Sequence, residues 1–543
     1  MSESADRKRR RRGGRGPGLF TRFLNVVEFL GNLLPHPVTL FAVLALLILL
    51  VSGMAEMLDW QVADPRPAGV SGRSEDGVIR AVSLMNPEGM RRIAMNLVTN
   101  FTGFAPLGTV LVALLGVGVA ERSGLLGALL RALVLGAPRN LLTAVVVFAS
   151  VVSNTASEMG YVVLIPLAAV VFRAVGRHPL AGLAAAFAGV SGGYSANVLI
   201  GTVDPLLAGI TTEAARIIDP SYAPGAANEI PATANYLFML VSTFMITVIG
   251  TLVTTRIVEP KLGVFDTSRA ADDLEDPEEG LKTLSKEERR GLKLAGLTVL
   301  VMLGGLALLA LPENGWFRDP AANALLIDDL RPMLRSVVSL IFVFFIVPSI
   351  VYGRVTGSLR NDRDVIDGMG RSMSSLGPYL VLVFFAAQFV SFFNWTNLGT
   401  ITAVVGADLL TRFDLTGPIV FVPFILMCCF VNLMLGSASA QWAVTAPIFV
   451  PMLMTVGYSP EVIQAAYRIG DSTTNIITPM MSYFGLILAV AMRYDRKLGI
   501  GTLISTMIPY SISYLIGWVT LFYVWVFALG LPVGPGSPTY YTP

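Results

Sequence analysis

Charge is scarce in this chain. Charged residues make up 14% of its 543 residues, against about 25% in an ordinary soluble domain. With a 54% hydrophobic content, that rules out a disordered chain and argues against a soluble multidomain enzyme. Cysteine is nearly absent. Cys428 and Cys429 are adjacent and flanked by apolar residues, which excludes a disulfide framework and a cysteine-based metal site. Histidine is as rare: His36 and His178 each stand beside a proline at a segment end. Neither fits a zinc pattern, and no HExxH occurs. No Gly-x-x-x-x-Gly-Lys-Ser/Thr is present, which disfavours an ATP-driven pump. The net charge is +2, and the one basic cluster, Arg7 to Arg12, is at the N-terminus, so nothing favours nucleic-acid binding.

What the chain has instead is a succession of long uncharged apolar stretches, the pattern of a polytopic membrane protein. The basic residues orient them. Residues 1–36 read as a cytoplasmic basic tail followed by an amphipathic interfacial stretch over 19–34. The first span is 37–57, followed by a polar external loop over 58–95. The second span, 101–120, returns to Glu121 and Arg122, and 124–136 reads as an interfacial helix. Residues 141–172 are apolar but interrupted by Ser153-Asn154-Thr155-Ala156-Ser157. Arg139 precedes this segment and Arg173, Arg177 and His178 follow it. Both ends are therefore expected in the cytoplasm, and the segment is expected to be a re-entrant hairpin with a polar tip.

Residues 179–212 cross outward as a broken span, interrupted at Ser191 to Asn197 and at Asp204-Pro205. Residues 235–255 cross back to a charged, partly helical cytoplasmic loop over 256–293. Two spans fill 294–353, and 376–405 crosses outward as one segment. A second hairpin is expected over 418–459, with the tip Gly436-Ser437-Ala438-Ser439-Ala440-Gln441. A second broken span covers 460–492, interrupted at Gly470 to Asn475 and at Thr478-Pro479. Residues 502–529 make the last span, and 531–543 form a tail. The expected fold is all-α: nine transmembrane helices plus two re-entrant hairpins, N-terminus cytoplasmic and C-terminus periplasmic.

The chain also repeats itself. Asn100 to Thr109 resembles Phe392 to Thr400, and each is followed by an interfacial piece, a hairpin with a serine-rich tip and a broken span. Thr109 and Thr400, Ser153 and Ser437, and Ser191 and Ser472 are separated by 291, 284 and 281 residues. Near-constant offsets indicate one duplicated unit, over 101–255 and 376–530. The first copy starts outside and the second inside, so the repeats are inverted. Inverted repeats with broken helices mark secondary transporters. Helix ends inside a bilayer leave backbone groups that something must satisfy. Hydroxyls, amides and free carbonyls can replace a small cation's hydration shell, and half-helix N-termini suit carboxylate or sulfonyl groups.

The tips Ser153-Asn154-Thr155 and Ser437-Ala438-Ser439-Ala440-Gln441-Trp442, with Arg468-Ile469-Gly470-Asp471-Ser472-Thr473-Thr474-Asn475 and Pro479, resemble the AbgT family. Its members are p-aminobenzoyl-glutamate transporters, some described as exporters of sulfonamide antimetabolites. The resemblance covers roughly residues 20–530 and implies a homodimer in the bacterial inner membrane. It also implies that Asp204, Asn432, Ser439, Trp442, Pro460, Arg468 and Asp471 matter for substrate binding or translocation. The hairpin tips alone are shared with a wider ion-transporter superfamily, so a sodium-coupled dicarboxylate-type symporter is the alternative. The Arg-rich N-terminus is not a feature of the resemblance.

Each candidate also has a plainer reading. Asp204 is the only charge over 181–212, and a carboxylate near the midplane is a functional candidate by default; otherwise it marks a span end. Arg468 and Asp471 are three apart and can pair on one helix face. Alternatively Arg468 holds a substrate carboxylate in bidentate fashion, while Asp471 binds sodium or exchanges a proton. Trp442 is a candidate to stack on an aminobenzoyl ring, or it is packing. Pro460 and Pro179 begin the broken spans, where a structural role is simplest. Glu158 either helps bind the cation or favours a helix N-terminus. Neutral oxygens of Ser153, Asn154, Thr155, Ser191 and Asn197 in one repeat, and of Ser437, Ser472 and Asn475 in the other, suit a monovalent cation; no other cofactor is implied. Gly470-Asp471 superficially suggests an intramembrane aspartyl protease with Asp204 as partner, but the Gly-x-Gly-Asp pattern is absent.

Overall fold

The computed structural model describes all residues except 1–35, 65–72, 74, 157–158, 224, 227, 272–282, 320–328, 480 and 543. The basic tail, the expected interfacial stretch, Glu158 and the acidic part of the charged loop lie outside the described residues.

Among the described residues, eight helices are long and apolar enough to cross a membrane. Seven coincide with expected spans. The eighth, Pro418–Leu435, is the first arm of the second hairpin. The two broken spans consist of halves too short to count by length.

The sequence reading is corrected at two places and met at a third. Residues 58–95 are not simply a loop. Strands β1, Gln61–Ala63, and β2, Val78–Arg80, pair antiparallel, with Val62 opposite Ile79. A helix then begins at Pro87, because the Asn86 side chain accepts from the Gly89 N–H at 2.7 Å and Pro87 suits the first turn. Arg91 and Arg92 on this helix hid its apolar continuation. Second, 376–405 is not one continuous helix. The helix Gly377–Trp395 ends at a turn where Asn397 has φ 58°, and a separate helix Leu398–Arg412 follows. Asn tolerates this left-handed conformation, and its amide donates to the Arg80 carbonyl, so the outer β-hairpin pins the bend. At the third place the expectation is met: the helix Lys286–Ala310 starts inside the charged loop, which is therefore partly helical. Ser285 and Glu288 cap each other's backbone N–H groups there.

The hairpins and breaks are built from local chemistry. The first hairpin runs Leu142–Val152, a tight turn over Ser153–Ala156, a widened turn over Gly160–Leu164, and Ile165–Ala174. Its incoming arm is bent 110° from the preceding helix Leu125–Leu135. At its base, the Arg177 guanidinium makes two bonds to Glu259 and one to Thr143. The second hairpin runs Phe421–Leu435 and Ala438–Thr455. Gly436 turns the chain at φ 55° and Ser437 caps the outgoing arm. The first broken span is Pro179–Phe187, a widened turn Ala188–Gly192, an unwound stretch and Val203–Ala215. The second is Pro460–Asn475, an unwound stretch and Phe484–Tyr494.

These polar, irregular segments occupy the centre. Every residue of Pro460–Asn475 is buried, although it carries Glu461, Arg468 and Asp471. By contrast, only Gly291, Ala295 and Ala310 are buried along Lys286–Ala310. Lipid favours that inversion: apolar helices meet the chains and polar ones are held by protein. Pro460–Asn475 packs closely on Phe421–Leu435 because position 470 is glycine. A Cβ there would meet the Cys428 Cβ at 2.5 Å and the Ile425 carbonyl at 2.8 Å.

Candidate functional site

The two breaks and the two hairpin tips meet. The Ser195 N–H, in the first break, donates to the Ser472 hydroxyl of the second broken span at 3.0 Å. Ser191 Oγ lies 3.2 Å from the Met481 sulfur. Thr155 of the first tip donates to Asn197 Oδ1 at 2.8 Å, and Asn154 donates to the Gly193 carbonyl at 3.3 Å. Ser153 donates to the Ser150 carbonyl within its own arm. Between these parts lies a cavity of about 280 Å³. Asn154, Ser437, Ser439 and Asn475 reach it, together with three tyrosines.

The central ion pair is not the intrahelical one that the spacing allows. Arg468 does not pair with Asp471. Its Nη2 lies 2.7 Å from Asp204 Oδ1, and both side chains are almost fully buried. Asp204 Oδ2 in turn accepts from the Gly201 N–H at 2.7 Å. The pair joins the second repeat to the first across their broken spans. A spacing of three allows pairing on one helix, but here the guanidinium leaves its own helix for a carboxylate on another.

Asp471 is left with neither carboxylate oxygen hydrogen-bonded among the described residues, and it is wholly buried. Around it, Asn432 donates to the Asp471 backbone carbonyl at 2.7 Å and to Asn475 Oδ1 at 2.8 Å. The Oδ1 of Asn432, the Oε1 of Gln441 and, in the first repeat, the Oδ1 of Asn154 likewise have no donor among the described residues. A buried ionised carboxylate without a partner is strongly disfavoured. Such a group requires a proton or a cation when its surroundings are dry, and the acceptor-only oxygens near it suit a cation.

Trp442 and Pro460 sit in the walls. Trp442 is fully buried, stacks on Tyr467 at 4.2 Å between ring centroids, and donates its indole N–H to Thr211. Thr211 also donates to Gln464. Pro460 opens its helix after Ser459, whose side chain accepts from Val462 N–H. Ser459 is itself held by the C-terminal tail, donating to the Pro538 carbonyl.

Gln464, Thr211 and Glu461 went unnoticed in the sequence. Their signal was present: polar side chains on the two broken spans, Thr211 on the first and Glu461 and Gln464 on the second. Two acids do not share a proton here, since Asp204 is committed to Arg468, so the aspartyl-protease arrangement is not formed.

Similarity to known proteins covers nearly the whole chain. A family model described as the AbgT putative transporter family matches residues 22–541. The p-aminobenzoyl-glutamate transport protein of Escherichia coli (strain K12) is 36% identical over 511 residues, covering 94% of this chain and 95% of that one. Among solved structures, MtrF of Neisseria gonorrhoeae, described within a class of antimetabolite efflux pumps, is 56% identical. It has a TM-score of 0.87 and covers 95% of this chain and 100% of its own. The YdaH transporter of Alcanivorax borkumensis, described as having an unusual topology, is 44% identical with a TM-score of 0.83, covering 92% of this chain and 100% of its own.

Proposed function

The chain belongs to the AbgT putative transporter family, and from that premise we propose that it is a secondary transporter moving p-aminobenzoyl-glutamate or related aromatic antimetabolites, sulfonamides included. It works across the bacterial inner membrane, as a homodimer, on a proton or sodium gradient. It is a transporter and not an enzyme.

The observation that carries the coupling is the unpartnered Asp471 carboxylate, one helical turn from Arg468. A group that must bind a proton or cation to remain buried, one helical turn from Asn475 in the lining of a cavity where two repeats meet, is the device alternating access requires. Loading Asp471 neutralises the site and allows the broken span to move through a dry environment. Emptying it restores a charge that must face water. The orphan amide oxygens of Asn432, Gln441 and Asn154 favour sodium as a ligand alongside the proton reading.

The test is flux of radiolabelled p-aminobenzoyl-glutamate in proteoliposomes, with sodium and proton gradients imposed separately. Uphill flux under one gradient supports the reading and names the ion. Equal downhill flux under every condition would mean a passive pathway instead.

A further inference from the structure

Three tyrosines line the central cavity, and nothing above uses them. Tyr161 belongs to the widened turn of the first hairpin. Tyr483 comes from the second repeat, at the end of its unwound stretch, and Tyr194 from the first break. The rings of Tyr161 and Tyr483 lie 4.8 Å apart and are parallel to within 4°. That is an offset stack formed across the two repeats. Its surroundings differ from those of the other central stack. Trp442 and Tyr467 are both sealed at 0% exposure, with no face left for a ligand. The Tyr161–Tyr483 stack borders the cavity, and Tyr483 is only partly covered.

The tip of the second hairpin, Gly436 to Ser439, also borders this cavity. Ser437 caps the 18-residue helix Ala438–Thr455 there. The lining therefore combines a flat aromatic surface with hydroxyls and the start of a helix, which favours negative groups. Both tyrosines sit on irregular backbone, where widened turns and unwound stretches recur at functional sites.

We propose that Tyr161 and Tyr483 form the seat for the substrate's aromatic ring, leaving its amide and carboxylate or sulfonyl end to Ser437 and Ser439. This assigns ring recognition to the tyrosines and leaves Trp442 as packing. It rests on the reading that the chain carries aromatic amide-carboxylates.

The experiment is calorimetric binding to the full-length protein in lipid nanodiscs, with p-aminobenzoyl-glutamate and with ring-free N-acetyl-glutamate. Tyr161→Leu and Tyr483→Leu should weaken the aromatic ligand by roughly three- to tenfold. Tyr161→Phe and Tyr483→Phe should bind it as the wild type does, and N-acetyl-glutamate should be unaffected throughout. Unchanged aromatic affinity in the Leu variants overturns the seat, as does equal loss for both ligands or a wild type that binds neither. Parallel flux measurements separate the two ideas. Tyrosine-dependent binding without any flux sinks the transport reading and keeps the seat. Flux with tyrosine-indifferent binding does the reverse.

Discussion

Asp204, Arg468 and Asp471 were legible as candidates because charges in apolar segments are rare. Their partnership was not. Sequence spacing reports only neighbours on one helix, and Arg468 finds its partner on another chain segment, 264 positions away. The distinction has measurable consequences. Arg468→Met leaves Asp204 buried and uncompensated, which should destabilise the fold by about 3–5 kcal/mol. Adding Asp204→Asn should recover most of that loss in thermal unfolding of the detergent-solubilised protein. A double variant no more stable than the single one would mean that the pair does not hold the repeats together. Asp471 should behave differently, because neither of its carboxylate oxygens has a hydrogen bond to lose among the described residues. Asp471→Asn should fold normally and still exchange substrate across the membrane at equal concentrations. Gradient-driven accumulation should vanish. Retention of full accumulation would remove Asp471 from the coupling step.

At the scale of single elements, the hairpins and broken spans were readable because polar tips interrupt uncharged runs. Their boundaries were less so. The helix Pro87–Thr102 begins among charged residues, and Asn397 ends a span inside an apolar run. Capping and turn chemistry decide such ends, and hydropathy does not register them. The first hairpin makes a topological prediction. Cysteines placed at 138 and 178 should both be labelled from the cytoplasmic side only; labelling from opposite sides would turn the hairpin into a full span. Gly470 makes a packing prediction. Gly470→Ala must push the helix Phe421–Leu435 away from Pro460–Asn475. Overpacking of this kind costs roughly 1–3 kcal/mol, and transport should fall more than stability because Asp471 is the next residue.

The helix Asp362–Ser375 offers a control outside the apolar spans. The backbone N–H of Arg360 donates to the Asp364 carboxylate at 2.7 Å, and that of Asn361 donates at 3.2 Å. The Arg360 N–H, foremost, holds this carboxyl below its usual range. Its contribution is therefore present above the ordinary carboxylate pKa and disappears as pH falls through the lower folded value. The difference in Tm between wild type and Asp364→Asn should shrink on acidification from neutral pH. A difference that stays constant would mean that the cap does not titrate as the geometry requires.

At the scale of the whole molecule, two copies of one unit face each other, but the charges do not obey that symmetry. The Pro205 to Pro479 correspondence sets Thr478 where Asp204 would recur. The Ser191 to Ser472 correspondence sets Phe187 where Arg468 would recur. Neither member of the cross-repeat ion pair has a counterpart in the sister copy. In a scaffold of identical halves, swapping the roles of the halves would convert the inward-open shape into the outward-open one at no change in energy. With one lopsided pair of charges at the junction, the two shapes are no longer mirror images in their electrical landscape. A resting protein with one favoured doorway before any gradient is applied is the expected outcome. Spin-label distances across each hairpin mouth, measured without ligand, should report one dominant shape, and neutralising both Asp204 and Arg468 should draw the two populations together.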